Sequence, residues 1–309
     1  MRKTDTKPIP TPCPPLEGEG ESVKIHTMES QRKLPKSFSF EFFPPRDEDA
    51  RVKLRETTRE LAELKPKFFS VTFGAAGSTR DGTFEAVQEI MQAGLKAAPH
   101  ISGICSTKSE IRELLAKYRG VGVDRLVVLR GDRPKEGNAP VGEFGYANEL
   151  VEFIRAEAPN TFHIEVAAYP EFHPESPSAQ ADLDQFARKV RAGANSAITQ
   201  YFYNVDAYCR FVDESEARGL DLPIVPGIMP VTNYKQLVRF SDACGAEIPR
   251  WIRGRLEGFG DDLESLRAFG LDVTTELCEK LLAAGAPGLH FYTLNRTNPT
   301  KQIWQRLGI

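Results

Sequence analysis

SFSFEFFPPR, residues 37–46, is a short β-rich run that two prolines close. Because successive side chains of a strand point to opposite faces, Phe38, Phe40 and Phe42 share one face and Glu41 takes the other. A proline cannot donate to a sheet, and it pushes the preceding residue away from helical geometry. The run therefore predicts a strand that ends just after a carboxylate.

The environment of Glu41 needs an explanation, since burying an unpaired carboxylate costs free energy or drives it to the protonated form. One interpretation is a structural acid that pairs with a lysine or an arginine. The other is a general acid whose pKa is raised by its apolar neighbours, so that it delivers a proton near neutral pH. The stretch alone leaves both interpretations open.

Composition excludes several classes of protein. The 309 residues are 40% hydrophobic, with a net charge of -3 and an isoelectric point near 6.1. These values indicate neither a nucleic-acid partner nor a membrane partner. The five cysteines are an odd number without a C-x-x-C pair, which favours a reducing cytoplasm. The five histidines lack ligand spacing, so we expect no metal site.

Short β-rich runs alternate with longer segments of helical period. The predicted strands are 38–43, 68–73, 96–101, 125–129, 163–168, 196–201, 223–228 and 290–294. The predicted helices are 48–64, 80–93, 107–119, 146–157, 179–192, 204–218, 233–243, 262–284 and 299–307, with an inserted helix in 248–258. Eight strand–helix units in a chain of this length predict an α/β fold, a single-domain (β/α)8 TIM barrel.

The ends of the chain differ in character. Residues 1–34 are rich in proline and glycine and carry little to bury, so we expect a disordered tail. Residues 35–309 form the predicted catalytic barrel.

Barrel enzymes place their chemistry at the carboxyl ends of the strands. The polar residues found there are Glu41, Thr72, His100, Arg130, Asp132, Tyr169, Glu171, His173, Gln200, Asn295 and Arg296. Such a ring favours an active site over a merely solvated rim. The sequence has neither a Rossmann glycine motif nor a Walker lysine motif, so any dinucleotide has to bind in another way.

One predicted helix carries a polar stripe. Asp182, Gln185, Arg188 and Lys189 recur at spacings of three and four residues, which places them on one side of the helix. An ordinary solvated face explains the stripe, and so does a pair of cations that holds a diphosphate. Both interpretations stay open on the spacing alone.

Nine short motifs, in order, resemble the methylenetetrahydrofolate reductase family. They are SFEFFPP at 39–45, SVTFGA at 70–75, APH at 98–100, LRGD at 129–132, AAYPE with HPE at 167–175, AGAN at 192–195, AITQ at 197–200, PGIMP at 226–230 and FYTLNR at 291–296. The resemblance runs from about residue 37 to the end of the sequence.

The resemblance implies a flavoenzyme that reduces 5,10-methylenetetrahydrofolate to 5-methyltetrahydrofolate and so supplies methyl groups for methionine synthesis. NADH or NADPH would reduce the flavin, and folate would reoxidise it by ping-pong kinetics. The residue matching Glu41 is the general acid in this family, and the one matching Asp132 lies near flavin and pterin. The positions implied for folate or nicotinamide are Glu41, Asp132, Gln200, Gln236, Phe240, Leu294 and Arg296.

The resemblance also implies noncovalent FAD. The implied contacts are Thr72, His100, Leu129, Arg130, Asp132, Tyr146, Ala147, Tyr169, His173, Asp182, Gln185, Arg188, Lys189 and Ala194. Gln185 stands where the family has asparagine. The family is usually oligomeric, which implies a homo-oligomer. Two alternatives remain: a related flavin barrel with another electron donor or pterin, and a non-catalytic folate-binding or flavin-binding module.

Overall fold

The computed structural model describes residues 27–73, 80–132 and 142–309. The strands are β1 Ser37–Phe42, β2 Phe68–Val71, β3 Ala97–Ser102, β4 Arg125–Leu129, β5 His163–Ala168, β6 Ser196–Thr199, β7 Ile224–Val225, β8 Gly227–Ile228 and β9 Gly288–Tyr292. The helices are α1 Glu29–Arg32, α2 Glu48–Ala62, α3 Arg80–Gln92, α4 Lys108–Gly120, α5 Ala147–Glu157, α6 Ala179–Arg191, α7 Val205–Ala217, α8 Tyr234–Cys244, α9 Arg250–Gly258, α10 Leu263–Ala284 and α11 Thr300–Leu307.

The strands form one parallel sheet in the order β7-β6-β5-β4-β3-β2-β1-β9-β8. At its two ends, β7 pairs with β6 and β8 pairs with β9. Only Pro226 separates β7 from β8 along the chain. The two short strands are therefore halves of one barrel strand, and the predicted (β/α)8 barrel is confirmed.

Pro226 and the contact of Gly227 with β6 together break this strand. Pro226 has no N–H to donate, although its carbonyl accepts from His290 N at 3.0 Å. Gly227 N instead donates to the Thr199 hydroxyl at 2.9 Å. A Cβ at Gly227 would lie 2.1 Å from the Thr199 carbonyl oxygen, so only glycine fits. The predicted strand 223–228 thus turns from one neighbour to the other at its centre.

β1 shows the predicted alternation. Phe40 and Phe42 face the helices: Phe40 lies 5.6 Å from Trp304 between ring centres, and Phe42 stacks on Phe69 at 5.3 Å. Both phenylalanines are buried, which contributes about 2–3 kcal/mol each. Glu41 points the other way, into the barrel. The apolar face of the strand therefore anchors the carboxylate.

The predicted helices all occur, with ends that shift by two residues at most. Side chains fix several of these ends: Thr107 and Glu110 form a capping box at the start of α4, and Gly245, with φ of 76°, ends α8. Within the described ranges, no helix combines the length and apolar character needed to cross a membrane.

The folded unit begins before the predicted boundary at residue 35. Met28 N donates to the Ala284 carbonyl at 2.8 Å. The buried Gln31 side chain donates to Leu222 O at 3.1 Å and accepts from Ile224 N at 2.9 Å. The helix α1 therefore packs at the amino end of the barrel, and a disordered tail up to residue 34 is wrong for this part. Residues 1–26 lie outside the described residues.

Candidate active site

The carboxylate of Glu41 lies between two histidines inside the barrel. Its Oε2 is 3.2 Å from His100 Nε2 on β3 and 3.4 Å from His290 Nε2 on β9. The Ser70 hydroxyl on β2 lies 3.5 Å from the same oxygen. The Glu41 side chain keeps 17% of its surface exposed, so solvent or a ligand can reach the carboxylate.

These histidines decide the charge of Glu41. Burial raises the pKa of the carboxyl, but the charge and hydrogen bonding of His100 and His290 together outweigh burial and lower the pKa to about 2. The hypothesis of a pKa raised by apolar neighbours is therefore wrong for this structure. The alternative of a lysine or arginine partner is wrong as well, because the partners are imidazoles. At neutral pH the carboxylate is ionised.

Sequence analysis did not select His290, which completes this group. The register places His290 beside Ser39 and Tyr292 beside Glu41. His290 is fully buried, and its Nδ1 lies 2.7 Å from Ser39 Oγ. The search of strand ends missed His290 because it lies two residues before the end of β9. The signal was the alternation itself, since residues 290 and 292 share one face.

The loop after β9 fastens the end of β1. The Asn295 amide donates to the Phe43 carbonyl at 2.8 Å and accepts from Phe43 N at 2.9 Å. Thr293 Oγ1 donates to the Glu41 carbonyl at 2.6 Å. Leu294 and Asn295 have φ of 52° and 57°, a left-handed conformation that costs a residue such as leucine about 1–2 kcal/mol. The hydrogen bonds compensate for this strain and hold residues 293–295 against the end of β1.

A second group of predicted residues lies where β4 and β5 end. Arg130 follows β4, and its Nη1 lies 2.8 Å from Glu175 Oε2 in the loop after β5. Asp132 is exposed on the same side. Burial, followed by the carboxylates of Asp182 and Asp132, raises the pKa of Tyr169. The structure thus brings Asp132, Tyr169 and the start of α6 together.

The four residues of the α6 stripe differ in how deeply they are buried. Asp182 is buried, Gln185 and Lys189 are half-buried, and Arg188 is exposed. The Lys189 ammonium donates to the Ala167 carbonyl at 2.6 Å. Burial lowers the pKa of Lys189 to about 8, although Asp182 acts in the opposite direction. A partly dehydrated cation at the end of β5 is suited to bind an anion.

The loop after β5 carries His173 and is fastened to the end of α8. Glu171 Oε2 accepts from Glu247 N at 2.8 Å. A Cβ at Gly245 would lie 2.8 Å from Pro174 Cγ, so the helix end and the loop are in close contact. Sequence analysis placed Glu171 at a strand end but did not find this contact. The loop and α8 consequently form one side of the rim.

The residues implied for folate or nicotinamide follow β6, lie on α8 or follow β9. The Gln200 side-chain oxygen accepts from Tyr201 N at 2.9 Å. Gln236 and Phe240 are four residues apart on α8 and therefore share a face; both are half-buried. Arg296 is exposed beyond β9. No described contact joins these four predicted residues to Glu41.

Other residues implied for the cofactor lie at the carboxyl rim with one exception. Thr72 follows β2, Leu129 ends β4, and Tyr146 caps α5, which begins at Ala147. The helices of a barrel begin where its strands end, so these four residues lie at the carboxyl end of the barrel, where barrel enzymes have their active sites. Ala194 precedes β6 and lies at the opposite end of the strands. The structure does not bring Ala194 to the rim.

Comparisons with known proteins agree over most of the chain. A family model described as methylenetetrahydrofolate reductase matches residues 25–308. The chain is 42% identical over 272 residues to 5,10-methylenetetrahydrofolate reductase of Escherichia coli (strain K12), covering 88% of this chain and 90% of the relative. It is 37% identical over 286 residues to methylenetetrahydrofolate reductase (NADH) 1 of Arabidopsis thaliana, covering 88% of this chain and 48% of the relative.

A solved structure shares the fold. It is an uncharacterized protein from Clostridium thermocellum that binds two copies of 5-methyl-5,6,7,8-tetrahydrofolic acid. The TM-score is 0.61 at 18% identity, and the match covers 85% of this chain and 90% of that chain. At this identity the likeness supports the barrel architecture.

Proposed function

The chain belongs to the methylenetetrahydrofolate reductase family, which reduces 5,10-methylenetetrahydrofolate, and from this membership we propose a flavin-dependent, ping-pong reaction. The electron donor is NADH or NADPH, the resident cofactor is noncovalent FAD, and the product is 5-methyltetrahydrofolate. The observation that carries the proposal is the ionised Glu41 between His100 and His290 at the reachable end of the barrel. This group can accept and return a proton beside a bound substrate.

The described residues fit FAD. Lys189 has three N–H donors, and the structure gives its ammonium one hydrogen bond, to Ala167, among the described residues. A diphosphate would accept from the remaining N–H donors of Lys189. Lys189 and Arg130 would hold the diphosphate, and Tyr169 and His173 would pack against the cofactor.

When bound, the flavin supplies hydride storage between donor and folate. The contribution of Glu41 is the proton that opens the imidazolidine ring of the folate to an iminium cation. With a pKa of about 2, free Glu41 holds no proton at neutral pH, so its carboxyl has to gain the proton once substrate is bound. A bound folate excludes water and so buries Glu41 more deeply. Because burial raises the pKa of this carboxyl, proton transfer through Glu41 becomes more favourable. Asp132 would stabilise the cation electrostatically.

An anaerobic absorption experiment tests this function. Purified protein saturated with FAD should show flavin bands that bleach on addition of NADH or NADPH. The bands should return when 5,10-methylenetetrahydrofolate follows. A protein that does not bind FAD, or a reduced flavin that folate does not reoxidise, contradicts the proposal. Reduction by a protein carrier alone, with neither nicotinamide active, would contradict the proposed donor.

A further inference from the structure

Two buried hydroxyl groups join the end of β6 to α8. The Tyr201 hydroxyl, just beyond the end of β6, lies 3.0 Å from Ser241 Oγ on α8. Both residues are only 3% exposed, so water does not compete for this hydrogen bond. The Cys244 thiol, also on α8, is a second partner of the Tyr201 hydroxyl. One tyrosine therefore holds the helix against the strand end.

Each end of this hydrogen bond lies next to a residue implied for folate or nicotinamide. Gln200 precedes Tyr201, and its side-chain oxygen accepts from Tyr201 N at 2.9 Å. Phe240 precedes Ser241 on α8. Because neighbouring Cα atoms are only about 3.8 Å apart, a bond between the second pair of residues limits how far the first pair can separate. The distance from Gln200 to Phe240 thus depends on the two hydroxyls.

Two further tyrosines fix the ring of Tyr201. Its ring packs edge-on against Tyr203 and Tyr292, with ring centres 6.1 Å and 6.4 Å apart. The Tyr203 hydroxyl donates to the Met229 carbonyl at 3.1 Å, and the Tyr292 hydroxyl donates to the Thr199 carbonyl at 2.7 Å. Both neighbours are therefore anchored themselves. The Tyr201 hydroxyl stays directed at α8, so its hydrogen bond restricts little additional rotamer freedom.

We propose that Tyr201 and Ser241 are positioning residues for the folate substrate, an inference that rests on the proposed function. Their hydrogen bond sets the distance between Gln200 and Phe240 before folate enters, and such preorganisation strengthens binding. Among the described contacts, neither hydroxyl touches Glu41. The contribution of the pair therefore falls on the affinity for folate and not on the proton transfer.

Anaerobic stopped-flow measurements on the FAD-saturated protein test the pair. Chemically reduced protein is mixed with increasing 5,10-methylenetetrahydrofolate, which gives an apparent Kd and a limiting rate of flavin reoxidation. Tyr201→Phe keeps the ring and removes the hydroxyl, so the Kd should rise at least threefold while the limiting rate stays within twofold. Adding Ser241→Ala to Tyr201→Phe should change the Kd no further, because the partner hydroxyl is already gone. FAD affinity should match that of the wild type in both variants.

Tyr208→Phe is the matched control, because it also removes a buried tyrosine hydroxyl. The Tyr208 hydroxyl donates to the Ile224 carbonyl at 2.6 Å, where β7 begins and therefore away from the carboxyl rim. Its loss should lower thermal stability about as much as Tyr201→Phe does and leave the Kd of folate unchanged.

The outcomes separate the two proposals. An equal rise of the Kd in Tyr208→Phe, or no rise in Tyr201→Phe, overturns the positioning role and leaves the proposed function standing. A further rise when Ser241→Ala is added to Tyr201→Phe overturns the pairing of the two hydroxyls. A wild-type protein whose reduced flavin folate does not reoxidise contradicts the proposed function itself, and the positioning role with it.

Discussion

Glu41 separates the two proposed half-reactions. Only the folate half needs a proton, so Glu41→Gln should leave reduction of FAD by nicotinamide nearly unchanged. Reoxidation by 5,10-methylenetetrahydrofolate should slow about 100-fold or more, the usual range for loss of a general acid. Anaerobic stopped-flow spectroscopy measures each half separately. Equal slowing of both halves would contradict the assignment.

Ser39→Ala is the matched control for this change. Ser39 contacts His290 at 2.7 Å and lies on the same face of β1 as Glu41. It orients the imidazole but holds no acidic proton at neutral pH. We expect less than a tenfold loss in the folate half-reaction, so a loss as large as that of Glu41→Gln would shift the main role to the histidine.

Lys189 carries the predicted contact with the diphosphate. Lys189→Met keeps the length of the side chain and removes the charge, which burial already disfavours. The lowered pKa means that the charged form destabilises the folded state at neutral pH, so the free energy of unfolding should hold or increase, while FAD affinity should fall at least tenfold. Fluorescence titration of FAD measures the affinity, and Arg191→Met, an exposed change on the same helix, should leave it unchanged. Unaltered affinity in Lys189→Met would refute the contact.

At the scale of elements, the loop after β5 depends on α8 for its position. Burial and the Glu247 carboxylate raise the pKa of Glu171 more than the Glu247 N–H lowers it. The charged form of Glu171 is therefore disfavoured, while its oxygen is needed as an acceptor. Glu171→Gln keeps an acceptor and should bind FAD like the wild type. Glu171→Ala leaves the N–H unpaired, which should cost about 1–3 kcal/mol of unfolding free energy and weaken FAD binding.

Denaturation in urea and FAD titration check both Glu171 variants. If Glu171→Ala binds FAD as tightly as Glu171→Gln, the contact with α8 does not position His173 for the cofactor. Loss of affinity in both variants would show that the negative charge, rather than the hydrogen bond, matters.

Local patterns predicted most elements of the fold. Helical period is a local signal, so the helix ends followed from sequence to within two residues. The break at Pro226 was not predicted, because it depends on the contact between Gly227 and Thr199 of the neighbouring strand β6. Helix α1 was also missed: four residues carry no periodic signal, and Gln31 is ordered by distant partners at the start of β7.

At the scale of the whole molecule, closure of the barrel creates the site. Glu41, His100 and His290 come from β1, β3 and β9, and no local pattern states that they meet. Sequence identified the carboxylate and one histidine from strand ends. It could not give the pKa of Glu41, which depends on the distances to both imidazoles and on burial.

A second carboxylate inside the closed barrel makes the stability of the fold depend on pH. Glu165 on β5 is buried and pairs with Arg125, and its Oε2 accepts from Ser196 Oγ at 2.5 Å. Burial raises the pKa of Glu165, but His163, Arg125 and Ser196 together lower it further. Glu41 also has a lowered pKa. At pH values above 4.5, the ordinary pKa of both carboxyls, the two groups therefore stabilise the fold. This stability is lost as the pH falls through their folded-state pKa values.

Wild-type unfolding free energy should consequently fall as pH drops below about 4.5, by up to ~1.4 kcal/mol per pH unit for each group. Glu165→Gln leaves Arg125 without its counter-charge, so it should lose about 3–5 kcal/mol at neutral pH. Its further loss in acid should be shallower, because one of the two linked protons is gone. Urea denaturation at a series of pH values measures both effects, with Glu113→Gln, an exposed change on α4, as the control. An acid slope in Glu165→Gln equal to that of the wild type would mean that Glu165 does not contribute to the acid sensitivity of the barrel.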